Sequence, residues 1–146
     1  MASAKMLSSA DRLVPDDTLC QLATSYVKAG DVLTKMPSLQ EASASYEKAL
    51  DIVTPLLSPE RQDVPALYAA ADAYAGLGDV FARRARGTRD AKERADLGND
   101  SRTWYEKSLS TWQNIPNPSG IGPAGFKARD PHEIARRVAE RKSASQ

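Results

Sequence analysis

The sequence predicts an all-α protein made of two copies of one helix pair followed by a single C-terminal helix. The first sign is repetition. Tyr26-Val27-Lys28-Ala29-Gly30-Asp31-Val32-Leu33 lies over Tyr74-Ala75-Gly76-Leu77-Gly78-Asp79-Val80-Phe81, and Tyr46-Glu47-Lys48-Ala49-Leu50 lies over Tyr105-Glu106-Lys107-Ser108-Leu109. Repeated segments of this length indicate stacked supersecondary units, which fixes architecture ahead of any propensity argument. The second sign is spacing: apolar residues recur at the 3.6-residue period through both copies. The third is punctuation, because Pro and Gly collect between these stretches. Tyr26 and Tyr74 stand 48 residues apart and Tyr46 and Tyr105 stand 59 apart, so the second copy carries 11 extra residues within Arg86–Gly98.

Taken in order, residues 1–15 read as a flexible arm with a short apolar cluster at Leu13-Val14. Asp16, Asp17 and Thr18 are N-cap candidates for a helix over Asp16–Lys35. Leu19, Leu22, Ala23, Tyr26, Ala29, Gly30 and Leu33 mark its expected inner face. Met36-Pro37-Ser38 is a turn, with Ser38 and Glu41 spaced as a capping box before a second helix over Leu39–Leu57. A third helix begins either at Ser58-Pro59, with Pro at the first helical position, or at Asp63, and runs to about Arg86. Gly87 to Asp90 reads as stop and restart, opening a fourth helix over about Thr88–Asn114. The insert is rich in helix formers and should lengthen these helices, with a possible break at Gly98-Asn99. Residues 116–129 hold three prolines and three glycines and form a linker. Asp130-Pro131 restarts a last helix within 130–146, with Ile134 and Val138 on its buried side and a frayed end from Ser143.

Within the first copy the order is bulky Tyr26, small Gly30, Leu33, then Ala42, Tyr46 and Ala49, with Pro55 closing the unit. This resembles the tetratricopeptide repeat over roughly Ala23–Ile115. Tyr stands where that family usually has Trp, and Ser101 and Ser108 replace two alanines. The resemblance implies two antiparallel hairpins in a right-handed array, the C-terminal helix serving as a cap that docks on the second hairpin through Trp104 or Trp112 and Phe126. Gly30, Ala42, Gly78 and Ser101 are small where paired helices cross, and Tyr46 and Tyr105 fill the wedge between units. The segment from Tyr74 through Trp112 to Asp130-Pro131 is also similar to C-terminal helical regions of some bacterial serine/threonine protein kinases. That likeness implies a detached sensory or adaptor module in signalling.

Composition narrows the function. Charged residues make up 27% of the chain but nearly cancel to net +1, so the whole molecule has no strong pull toward nucleic acid or membrane. The single Cys20 excludes an internal disulfide, no stretch approaches a membrane span, and the N-terminus lacks the apolar core of a secretory signal. A cytoplasmic protein is the expectation. His132 has no second histidine or cysteine cluster beside it, and no serine sits in a nucleophile motif. Gly76-Leu77-Gly78 follows no strand and lacks the third glycine of a phosphate loop. No catalysis, metal or cofactor is therefore expected, and Cys20 reads as a buried apolar residue. A site made only of Asp31, Asp72 and Asp79 is the weakest of the three hypotheses.

A protein or peptide partner is the leading expectation. The tetratricopeptide likeness implies a concave groove lined by the first helix of each pair: Thr24, Val27, Asp31 and Thr34, then Asp72, Ala75, Asp79 and Arg83. The equivalent Asp31 and Asp79 would make it mildly acidic. Members that clamp a chaperone's terminal carboxylate use Lys and Asn where this chain has Val27, Ala75, Asp31 and Asp79, which counts against that subclass. The alternative is nucleic acid or an acidic partner at Arg83, Arg84, Arg86, Arg89, Lys92, Arg94 and Arg102. Against nucleic acid, no aromatic alternates with the arginines, and Asp90, Glu93, Asp96 and Asp100 are interleaved and expected to pair with them locally. Two units leave apolar surface at the first hairpin, which implies either a homodimer or further repeats in a longer parent protein.

Overall fold

The fold was obtained as a computed structural model that describes residues 14–36, 38–61, 63–118 and 128–145, with side chains through Glu140. Most of the expected arm, the central part of the linker, Leu13 and Phe126 lie outside these residues. Among them the chain forms five α-helices and one 3-10 turn and no strand. Helix α1 (Asp16–Lys35) begins after Pro15 without a side-chain cap, so Asp16 and Asp17 serve instead as first-turn acids against the helix dipole. Ser38 precedes α2 (Leu39–Val53) but makes no cap bond, and the expected capping box with Glu41 does not form. α2 ends four residues earlier than its apolar pattern suggests. Pro55 cannot donate a backbone hydrogen bond, and the chain tightens into a 3-10 turn over Thr54–Leu56.

Helix α3 (Val64–Gly87) takes the later of its two candidate starts. Asp63 caps it by accepting from the Ala66 amide at 3.1 Å, and Pro65 sits in the first turn. Asp90 caps α4 (Ala91–Gln113) through the Lys92 amide at 3.0 Å. α4 passes through Gly98-Asn99 unbroken, so the insert lengthens the second helix pair without a kink. Asp130 accepts from the His132 amide at 2.9 Å, and α5 (Pro131–Ser145) continues through most of the segment expected to fray.

α3 is the central element, packed against α1, α2 and α4. It contributes to two apolar clusters. Ala66, Ala69, Ala70, Ala73, Leu77 and Val80 face the first hairpin, while Leu67, Tyr68, Ala71 and Ala75 join Tyr105, Trp112, Ile134 and Val138 of the second cluster. α5 docks on α4, and Trp112 lies in the cluster that receives it, edge-on to Tyr68 at 5.4 Å. Trp104 faces elsewhere, stacked on Tyr74 and Phe81. On α1 the buried stripe is Cys20, Ala23, Val27, Gly30 and Thr34. Leu22 and Ala29, expected inside, are exposed, because α1 has packing partners on one side only among the described residues.

Two serines that depart from the repeat explain themselves here. The Ser101 hydroxyl donates to the Gly78 carbonyl and the Ser108 hydroxyl to the Ala71 carbonyl, both at 2.7 Å and both buried. The residue numbers rise on one helix as they fall on the other, so α3 and α4 run antiparallel. Alanine fills the matching places of α2, Ala42 and Ala49, which are fully buried.

The glycines serve the tyrosines. A Cβ on Gly30 would lie 2.7 Å from the Tyr46 ring, one on Gly76 closer still to the same ring, and one on Gly78 2.6 Å from the Tyr105 ring. Tyr46 thus sits between Gly30 of its own hairpin and Gly76 of the next. Gly76→Ala is expected to lose about 2 kcal/mol or more of stability by overpacking, despite the roughly 1 kcal/mol by which alanine favours a helix. Gly87→Ala, where a Cβ meets nothing within 4 Å, should be neutral or slightly stabilising. Urea denaturation of both variants checks this; a Gly76→Ala protein as stable as wild type would show that the ring is not confined.

Candidate functional site

A cleft of about 830 Å³ lies between the facing sides of α1 and α3 and the segment Ala128–Glu140. Its floor is set by the repeat. The Tyr46 hydroxyl donates to Asp31 at 2.6 Å, and the Tyr105 hydroxyl donates to Asp79, the equivalent pair one unit later. Each aspartate follows a glycine that admits the tyrosine ring, so the same residues that pack the hairpins also deliver a carboxylate to the cleft.

Two arginines of the C-terminal segment enter these sites. Arg129 donates to Asp31 at 2.5 Å and to the Tyr46 hydroxyl at 3.2 Å, and Arg137 donates to Asp79 at 2.7 Å and to the Tyr105 hydroxyl at 3.3 Å. Arg129 also reaches Asp79 at 3.6 Å, while its backbone amide and its guanidinium bond the Asp72 carboxylate and carbonyl. The electrostatics follow. Burial pushes the Asp72 carboxyl above the usual range, and Arg129 pulls it back. Burial likewise raises both tyrosine hydroxyls, reinforced by the adjacent aspartates. Burial opposes the Arg129 charge, but Asp31, Tyr46, Asp79 and Asp72 outweigh it and hold it protonated.

The residues expected to line a groove are divided by this arrangement. Asp31, Thr34, Asp72, Asp79 and Arg83 line the cleft. Val27 and Ala75 do not; they are core residues at 1% and 0% exposure. Ala75 is enclosed because Ala128 and Ile134 join it in one apolar cluster, over the face that repeat register would leave open. Thr24 is half-buried, bonds the Cys20 carbonyl and lines nothing. Asp31, Asp72 and Asp79 do converge, but on Arg129, whose guanidinium meets the Asp31 and Asp79 carboxylates and whose backbone amide meets that of Asp72, so the expected acidity of the groove is offset from within. Arg129 and Arg137 were not anticipated. Arg129 precedes α5 and Arg137 lies within it, so no single sequence period links them to the two equivalent aspartates.

The basic run does not act as a unit. Arg83 and Arg86 face the cleft, Arg84 lies over the Phe81 ring, Arg94 bonds the Thr88 carbonyl, and Arg102 pairs with Glu106. Arg89 and Lys92 are exposed at the start of α4. The expected pairing with Asp90, Glu93, Asp96 and Asp100 is absent among the described residues: Asp90 caps α4 and Glu93 accepts from Thr88. Among the described residues no His, Cys, Asp and Glu cluster could hold a metal ion, and no helix is long and apolar enough to cross a membrane. Comparison with known proteins gives no matching family model, no matching curated protein and no matching solved structure.

Replacing Arg129 with Met should cost roughly 2–4 kcal/mol at neutral pH, since it leaves partly buried carboxylates without their cation. A carboxyl whose folded-state pKa is raised, as at Asp72, binds its proton more tightly folded than unfolded, so its contribution to stability falls as pH rises through that window. The loss caused by Arg129→Met should therefore grow with rising pH and shrink in acid. Chemical denaturation across the carboxylate range reads this, and a pH-independent gap would refute it. The Cys20 thiol, pushed up to about 12 by burial and then by the Asp63 charge and hydrogen bond, should hold on the order of 1000-fold less thiolate than an ordinary cysteine. Iodoacetamide should label it slowly until the protein unfolds; prompt labelling of the native chain would contradict this.

Proposed function

We propose that the chain is a non-catalytic protein-interaction module of tetratricopeptide type, an adaptor or sensory unit that receives a peptide or protein segment in the cleft between α1, α3 and α5. The duplicated Gly30/Tyr46/Asp31 and Gly78/Tyr105/Asp79 arrangement carries this reading. It supports reading the two helix pairs as equivalents in a right-handed array of hairpins whose first helices share one concave surface, with α5 as the cap. A cytoplasmic setting, associated with signalling kinases, belongs to the same proposal. The cleft's size falls in the range of clefts that hold a small ligand or a short peptide segment.

The test is selection of short peptides from a random displayed library, followed by amide chemical-shift mapping. Selected peptides should compete with one another and perturb cleft-facing residues such as Thr34, Ala82 and Arg83. Failure to select any peptide would overturn the proposal. So would shifts confined to the exposed Leu22, Val32 and Met36 of α1, whether induced by peptide or by raised protein concentration, because the contact would then lie on the outer face of the first hairpin.

A further inference from the structure

The charges lining the cleft are unevenly satisfied. Every carboxylate there has a partner. Asp31, Asp72 and Asp79 are held by Arg129 and Arg137, Glu133 and Glu140 by Arg136, and Asp130 by the His132 amide. Three cations in the same lining form no ion pair among the described residues: Lys35 in the last turn of α1, and Arg83 and Arg86 three residues apart near the end of α3. All three are exposed. Positive charge in the last turn of a helix complements the dipole, which accounts for basic residues at these helix ends. It does not account for their gathering, from two helices, in the lining of one cleft whose acids each have a partner already.

We infer that the cleft accepts an acidic peptide segment, whose side-chain carboxylates pair with Lys35, Arg83 and Arg86. This inference rests on the interaction reading above and specifies its partner. Selectivity arises from the cleft floor. If Asp31 and Asp79 were bare, they would repel an acidic segment; Arg129 and Arg137 cover them, and the three cations without an ion pair are left to meet it. Arginine at two of the three positions suits bidentate capture of carboxylates. The cations come from two helices, so an internal acidic run that offers several carboxylates fits better than a single terminal one. A chain of alternating acidic residues could meet α1 and α3 together, whereas one terminal group would reach only one of them.

The experiment measures fluorescence anisotropy of a labelled, C-terminally amidated peptide of alternating Glu and Ala with the full chain. A matching Lys/Ala peptide and a single-stranded oligonucleotide of similar charge are run beside it. The Glu peptide should bind and weaken with added salt, and its amidated and free-acid forms should bind alike. Arg83→Glu with Arg86→Glu should weaken binding roughly tenfold or more, with circular dichroism confirming that the variant folds. Arg89→Glu with Lys92→Glu changes net charge equally but lies outside the cleft, and should leave binding within about twofold. Equal loss in both double variants would reduce the effect to overall charge and overturn the inference, as would tighter binding of the oligonucleotide. Capture of only neutral or basic library peptides in the cleft would also overturn it while leaving the interaction module standing. If no peptide of any composition binds, both fall.

Discussion

The structure depends on the confinement of Tyr46 between two glycines that belong to different helix pairs. Its ring fills the space that a Cβ on Gly30 or on Gly76 would need, so it ties the first hairpin together and joins that hairpin to the second. Close packing at native density makes such a contact intolerant of a single methyl group. It also aims the hydroxyl outward at Asp31. One side chain therefore sets both the distance between units and the position of a charge on the surface they share. Tyr105 repeats the first half of this arrangement with Gly78 and Asp79. Beyond it stands α5 in place of another pair.

That substitution explains the electrostatic character of the cleft. Without the C-terminal segment the cleft would present Asp31 and Asp79 uncovered. In this chain the C-terminal segment brings one guanidinium to each, Arg129 to the first unit and Arg137 to the second. Arg129 is the more enclosed of the two, with its side chain 23% exposed against 43% for Arg137. Removing a partner from a poorly solvated charge is more damaging than adding one at the surface is helpful. The segment thus acts both as packing, through Ile134 and Val138, and as the source of the cations that pair with Asp31 and Asp79.

Much of the architecture was legible in the chain because it is local. The boundaries of α1, the cap at Asp63, the stop at Gly87 and the restart at Asp130-Pro131 all rest on nearest-neighbour chemistry, and periodicity carried the helices between them. The failures share a cause. Leu22 was assigned to the core because apolar periodicity cannot tell which side of a helix has a neighbour. Gly76 has no role legible in the sequence, because its partner Tyr46 lies in another helix pair. Repeat register puts Asp31, Asp72, Asp79 and Arg83 on one face, and all four line the cleft. Register could not show that the chain's own tail would bury Ala75 and neutralise the aspartates, because those contacts cross most of the sequence.

That length of crossing has a consequence for how the molecule assembles. Tyr46 meets Asp31 across 15 residues, whereas Arg129 meets Asp31 across 98. Loop-closure entropy rises with the logarithm of length, so the longer closure costs roughly 2 kcal/mol more than the shorter. The hairpins can form early from contacts near in sequence, and the tail gains its bonds only once Asp31 and Asp79 are already side by side. Docking of the tail is thus the late event in folding and the early one in unfolding. In any form with the tail undocked, Asp31 and Asp79 stand without the guanidinium groups that cover them in the folded chain.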